Sequence, residues 1–331
     1  MSGEVKQMEQ LLRDAYGIAG YPLEPVTGGR VNRLWRCGHW VVKLYNHQRV
    51  PLARAAQGLR LQHELAARGL PVPAPQPTRS GSLWTESPAG LVAVMPFIRG
   101  EHKCRGQLSQ AEAAHLGRFI GRLHRMLREV QSVSGNPPAP PDPAAIAAQW
   151  AGLKRQAQCR PAPDEFDAAV VEMADYVAGA ITQIPAVAWE LQPGQICHRD
   201  LHLDNLLFDR GGHVAGLLDF DSAAPWWSGA ELMMAWNLSI CPDPTVRQLT
   251  PEGAAFFGAY RQVRRPDPQA WADLPHLYWY ALVSVFWPAP LRYRDGAFVE
   301  PGWTEMLQLR LRAARWLQQH GEAMSHWLLS A

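Results

Sequence analysis

Lysine is scarce in this 331-residue chain: Lys6, Lys43, Lys103 and Lys154 are the only four among 32 basic residues. A lysine on a buried strand of such a chain marks a place that needs a compact ammonium. Cysteine is nearly as rare. The five, at positions 37, 104, 159, 197 and 241, form no C-x-x-C pair, which argues against a zinc knuckle or a disulfide frame. Net charge is only +2, too little for a nucleic-acid-sized basic surface. No long apolar run occurs, and the first 18 residues are charged and amphipathic. The expectation is a cytoplasmic protein with no signal peptide, membrane span or nucleic-acid partner. Hydrophobic residues make up 47% of the chain, enough for one large or two modest domains.

The informative stretch is CHRDLHLDNLLFDRGGHVAGLLDFDS, residues 197–222. Its periodicity reads as loop, strand, tight turn, strand. The first strand follows Asn205, the turn holds Asp209, Arg210, Gly211 and Gly212, and the second strand ends at Asp219. A hairpin brings its two ends together, so Asn205 is expected beside Asp219. An amide oxygen and a carboxylate on rigid backbone suit a hard divalent cation such as Mg²⁺. Asp200, five residues before Asn205, is placed to take or orient the proton of an attacking hydroxyl.

The order H-x-D-x-x-x-x-N, strand hairpin, D-F-x is that of kinase-type phosphotransferases. This copy resembles the aminoglycoside phosphotransferase and choline kinase superfamily, usually H-G-D-L-H-x-x-N-x-L followed by I-D-F/W. Leu201, His202, Leu207 and the run Leu217-Leu218-Asp219-Phe220 fit as well. Arg199 departs from it, standing where the family usually has glycine, and reads as structural.

The resemblance implies a two-lobed, protein-kinase-like α+β fold. A small lobe to residue 97 would carry a five-stranded antiparallel sheet and one main helix over residues 51–68. Residues 98–331 would form a mostly helical lobe with the catalytic loop, metal site and acceptor pocket. It also implies an enzyme that transfers the γ-phosphoryl group of ATP or GTP to a hydroxyl of a small molecule, an antibiotic or a metabolite alcohol. Asp200 would be the base or orienting carboxylate and His198 would brace its loop. Asn205 and Asp219 would hold Mg²⁺, with Asp221 a metal-site carboxylate that either stands behind these ligands or holds a second metal.

Upstream, Gly28-Gly29 between two strands resembles the looser G-G-x-x-N-x-x-Y/W phosphate loop of the same group. Glycine N–H groups there can donate to phosphates. Lys43, in Trp40-Val41-Val42-Lys43, stands where kinases carry their phosphate-binding lysine. Glu64 is the only carboxylate between Lys43 and Glu86, which makes it the local choice for a partner that holds Lys43. By analogy the hinge at 95–100 would offer the Pro96 carbonyl and the Ile98 N–H to a purine edge. Proline is compatible there because only its carbonyl is needed.

Downstream, no activation segment of the protein-kinase kind follows Asp221, which disfavours a protein acceptor. Glu231 stands where the family has an aspartate that braces the catalytic loop. Helical patterns near 251–265, 268–288 and 302–320 carry Trp271, Tyr278, Trp279, Tyr280, Phe286, Trp287, Tyr293 and Trp303. That density is expected to serve the core and an aromatic acceptor pocket. Acids and arginines are balanced there, which does not favour a polycationic aminoglycoside. The competing reading is a kinase-shaped binding or scaffold protein without turnover.

Overall fold

A computed structural model describes residues 2–330 apart from 27–31, 47–50, 134, 136–137, 242–249, 285, 287 and 295–301. The expected Gly28-Gly29 loop and Trp287 therefore lie outside the described residues. The elements run α1 (Ser2–Tyr16), β1 (Glu24–Pro25), β2 (Arg33–Cys37), β3 (Trp40–Asn46), α2 (Leu52–Ala67), β4 (Thr85–Ser87), β5 (Gly90–Pro96), α3 (Gln110–Leu127), α4 (Pro143–Gln158) and α5 (Glu165–Ala180). Then come β6 (Gly194–Cys197), β7 (Leu206–Phe208), β8 (Val214–Leu217), β9 (Ala224–Trp227), α6 (Ser228–Ala235), α7 (Pro251–Arg264), α8 (Pro268–Ala272), α9 (Leu274–Val283), α10 (Pro288–Arg294) and α11 (Trp303–Ser330). They fall into two compact units: Met1–Lys103 with Phe119–Asn136 and Gln195–Pro225, and Cys104–Arg118 with Pro137–Gly194 and Trp226–Ala331.

The first unit is built on an antiparallel sheet of order β1-β2-β3-β5-β4. Strand alternation divides its side chains between two faces. Val42, Leu44, Val92 and Val94 pack with Met8 and Leu12 of α1. Tyr45, Leu91 and Ala93 pack with Ala55, Ala56 and Leu59 of α2. Lys43, between Val42 and Leu44 and opposite Ala93, points to the α2 side and is only 6% exposed.

The hairpin belongs to the same unit. Leu206 pairs with Leu217 and Leu207 with Gly216, and a bulge then sets Phe208 opposite Val214. Asp209 builds the turn by accepting from the N–H groups of Gly211 and His213 at 2.8 and 2.9 Å. Two close approaches place the hairpin. Glu101 and Phe208 exchange both backbone hydrogen bonds at 2.9 Å. Gly58 of α2 lies against the backbone of Phe220, so that a Cβ there would meet the Phe220 oxygen at 2.9 Å.

The second unit is helical, and its core is aromatic. Trp150, Trp236, Trp271 and Trp279 are fully buried. Three of them satisfy their indole N–H: Trp150 on Val283 O, Trp271 on Leu328 O and Trp279 on Tyr176 OH. The pattern at 268–288 breaks at Asp273 into α8 and α9, because Pro275 cannot continue the α8 ladder. Arg310 closes the end of α9 by donating to the carbonyls of Ala281, Leu282 and Ser284.

The Gly58 contact generates a test. Because the nearest neighbour is the Phe220 backbone, Gly58→Ala has no flexible atom to push aside and should cost about 1–3 kcal/mol. Urea unfolding of the variant against the parent measures this; an unchanged midpoint would refute the close approach.

Candidate active site

Every side chain of the site comes from the first unit. Strand β6 delivers the chain to His198, which is fully buried. Its Nε2 donates to the Leu218 carbonyl at 2.8 Å, and its ring meets Phe220 edge-on at 4.7 Å. This ties the loop after β6 to the chain leaving β8. The next residue, Arg199, has φ 65°. That is the left-handed region, which strains any residue with a Cβ and explains why a glycine suits this position.

Asp200 and Asn205 are brought together as the spacing predicts. The Asn205 Nδ2 donates to the Asp200 carbonyl at 2.8 Å and to Asp200 Oδ2 at 3.0 Å. With its amide so directed, Asn205 turns its oxygen the other way. His202 stands 3.3 Å from Asp200 Oδ1 and 3.5 Å from Asp204 Oδ2. Burial works to raise the Asp200 pKa, but the bond to and charge of His202, with His198 and Asn205, bring it below the usual carboxylate value. Asp200 therefore stays ionised and ready to accept a hydrogen bond from a hydroxyl. His202 moves the opposite way: burial would lower its pKa, and the acids around it, Asp200 first, raise it.

The hairpin's two ends meet through the Leu218 N–H, which donates to the Asn205 carbonyl at 2.9 Å. Asp219 follows in the left-handed region, φ 59° and ψ 79°, a strained conformation of the kind that clusters at functional sites. Lys43 Nζ reaches across to Asp219 Oδ1 at 3.1 Å and Asp221 Oδ1 at 2.9 Å. The same ammonium lies 4.5 Å from the centroid of the Tyr45 ring. Burial works against the charge of Lys43, but the acidic groups around it, Tyr45, Asp221 and Asp219, reverse that and raise its pKa. The two aspartates separate. Burial opposes ionisation in both, yet Asp219 is driven down to about 2 by Lys43, whereas Asp221 is pushed up by burial and by the charge of Asp219.

The pair expected between Lys43 and Glu64 is not formed. At 100° per residue Glu64 lies roughly 140° around α2 from Leu59, off the face that packs on the sheet. Its carboxylate instead accepts from the Gln131 N–H at 3.2 Å and the Ser132 N–H at 3.0 Å, and pairs with Arg68 at 2.6 Å. Sequence reading also passed over Asn32. Its Nδ2 donates to Asp221 Oδ2 at 2.6 Å, and it is 8% exposed. The signal was present, since Asn32 is the N of the G-G-x-x-N-x-x-W pattern.

At the hinge, Phe97 donates to the His39 carbonyl at 2.8 Å. Alternation then turns the Pro96 carbonyl away from β3, to the side where Val94 O accepts from Gln76. Ile98 packs over Gly216, where a Cβ would meet its side chain at 3.0 Å. Of the aromatic residues expected to serve the core or a pocket, Trp271, Tyr278, Trp279, Tyr280, Phe286 and Trp303 are buried, while Tyr293 is half-buried and donates to Asp167 at 2.9 Å. Glu231, at the start of α6, is fully buried too.

Among the described residues no three His, Cys, Asp or Glu cluster as a metal cage. Magnesium commonly takes one or two protein oxygens and completes its shell with phosphate and water. The oxygens of Asn205 and Asp219, joined through the Leu218–Asn205 bond, fit that demand.

Comparison with known proteins shows the family and the fold. Residues 22–266 match the model of the phosphotransferase enzyme family. The chain belongs to that family. Over 241 residues it is 28% identical to a homoserine kinase of Methylobacterium nodulans, covering 72% of this chain and 70% of that one. Its fold is kinase-like. It superposes on choline kinase from Cryptosporidium parvum Iowa II with TM-score 0.63 and 14% identity, over 98% and 99% of the two chains. Spectinomycin phosphotransferase matches with TM-score 0.63 and 14% identity, over 96% and 98%. The resemblance in the motifs thus extends to the fold of a small-molecule phosphotransferase. No helix among the described residues is long and apolar enough to cross a membrane.

Glu64 in its observed place predicts an effect on stability. Burial would raise its pKa, but the bonds from Ser132 and Gln131 and the charge of Arg68 lower it below 4.5. The unfolded chain therefore takes up this proton first. The stabilisation is complete above the unfolded pKa and fades as pH falls through the lower folded value. Glu64→Gln should flatten this acid limb of the stability–pH curve. An acid limb identical to the parent's would remove Glu64 from the tether.

Proposed function

We propose that this protein transfers the γ-phosphoryl group of a nucleoside triphosphate, ATP or GTP, to the hydroxyl of a small metabolite alcohol. The observation that carries the proposal is the joining of Asp200, Asn205, Asp219 and Lys43 in one unit. Asp200 is ionised, part exposed and fixed by Asn205 and His202. In the reaction it orients the acceptor hydroxyl and takes its proton as the bond to phosphorus forms. Lys43 is the cation for the α- and β-phosphates. Asn205 and Asp219 would hold Mg²⁺, which when bound would neutralise charge on the phosphoryl oxygens. The residues themselves supply placement: His198 locks the loop, and the hairpin sets the spacing between acid and metal site. The hinge carbonyl of Pro96 and the N–H of Ile98 serve the base. Gly28 and Gly29 belong to the phosphate loop by their place in the sequence. The protein acts in the cytoplasm, and its small lobe ends near residue 97.

For the acceptor, an amino alcohol of the homoserine kind is the first choice. The supporting observation is the identity with the homoserine kinase above 25% over most of both chains. The buried aromatic residues of the second unit do not support the aromatic acceptor pocket considered from the sequence.

ADP release measured over a panel of alcohols, homoserine, choline, aminopropanol and spectinomycin among them, tests the choice; no turnover with any amino alcohol would refute it. Asp200→Asn should remove nearly all turnover, at least about 10²-fold, while nucleotide still binds. Asp219→Ala should abolish the magnesium-dependent part of nucleotide affinity in calorimetry. Unchanged affinity would exclude Asp219 from the metal site.

A further inference from the structure

Resting on the nucleotide-binding reading above, we infer that Asp221 is the positioning residue of Lys43, and that Asn32 positions Asp221. The carboxylate is shared by two donors, one on each oxygen. Lys43 Nζ donates to Oδ1 at 2.9 Å and Asn32 Nδ2 donates to Oδ2 at 2.6 Å. Its side chain is 17% exposed, so these bonds form largely out of water. With a donor on each oxygen, this carboxylate ties the ammonium of β3 to the amide that precedes β2.

The acid that the sequence offered for this task is occupied elsewhere. Glu64 holds the N–H groups of Gln131 and Ser132 and the guanidinium of Arg68. A buried ammonium still needs an anion, because burial alone favours its neutral form. Asp219 meets one side of Lys43 but is also the acid offered to the metal. Asp221 is the acid that remains for Lys43 alone.

Asn32 gives the second line of argument. It is 8% exposed, and its Oδ1 is buried without a partner among the described residues. A buried amide with an idle oxygen is a poor core residue, since an apolar side chain would avoid the desolvation. Its bond to Asp221 gives it a reason to be there. The amide cannot flip, because Oδ1 would then face a carboxylate. Asn32 stands just before β2, Lys43 lies on β3 and Asp221 follows β8. The Asn32–Asp221–Lys43 chain therefore joins the start of β2, the central strand β3 and the turn after the hairpin.

The two roles open to Asp221 separate in magnesium dependence. Calorimetric titration of the full-length protein with Mg–ATP and Mg–GTP, repeated across magnesium concentrations, is the experiment. Circular dichroism checks that each variant is folded. Asp221→Asn and Asn32→Ala should each weaken nucleotide binding by about tenfold, the loss of one charge-assisted bond. Combining them should add little, because both act on one brace. In a Lys43→Ala background neither should matter. The magnesium concentration for half-saturation should stay within about twofold of the parent throughout.

A tenfold rise in that concentration for Asp221→Asn would make Asp221 a metal ligand and overturn the inference. So would full additivity, or an undiminished effect without Lys43. If Asp221→Asn does not fold, Asn32→Ala and Asn32→Asp carry the test, the latter setting like charges together and expected to lose at least as much. A parent protein that binds neither nucleotide overturns the nucleotide reading and this inference with it. Nucleotide binding with displaced magnesium dependence overturns the inference alone.

Discussion

The site is held by a buried ammonium shared between two carboxylates. Lys43 comes from the middle of the sheet, and Asp219 and Asp221 from the turn that leaves the hairpin. An unpaired charge so deep would be neutralised or would unfold its surroundings, so the strand and the turn must stay in register. Other features serve this meeting. Gly58 lets α2 lie against the Phe220 backbone, and the left-handed turn at Asp219 aims its carboxylate at the strand. His198 ties the loop after β6 to the carbonyl just before that turn.

The electrostatics divide labour among acids that look alike in sequence. Asp200, beside His202 and Asn205, is kept ionised at the edge of the site. Asp219 is driven further down by Lys43, while burial and its neighbour push Asp221 up. Three carboxylates within 22 residues thus face three environments. This is the pattern expected where one acid handles a proton, another a metal, and another a fixed cation.

Much of this was legible along the chain. The loop–hairpin–turn reading of 197–222 follows from apolar runs punctuated by Asp209, Gly211 and Gly212, and contiguous residues are local in any fold. The helix over 51–68 and the strands at 40–45 and 90–95 were equally readable from their periodicity. The partner of Lys43 was not. Glu64 was the nearest acid in sequence, but an ion pair depends on which face of α2 meets the sheet, and that is decided by the packing of Ala55 and Leu59. The tryptophans and tyrosines of the last hundred residues were ambiguous for a similar reason. Composition cannot tell a core aromatic from one lining a pocket; Trp271, Tyr278, Trp279 and Tyr280 went to the core, whereas Tyr293 stays half-buried.

By itself, then, the order of residues pointed to a small-molecule phosphotransferase and to the groups proposed to carry its chemistry, because their spacing survives any arrangement of the rest. Only the tertiary structure assigned partners. It moved the anchoring acid of Lys43 from a helix to the turn after the hairpin, gave Asn32 a place in the site, and sent Glu64 to hold a distant loop. Spacing fixes which groups are neighbours along a strand or turn, whereas long-range pairing is set by how helices and sheets bury their apolar faces.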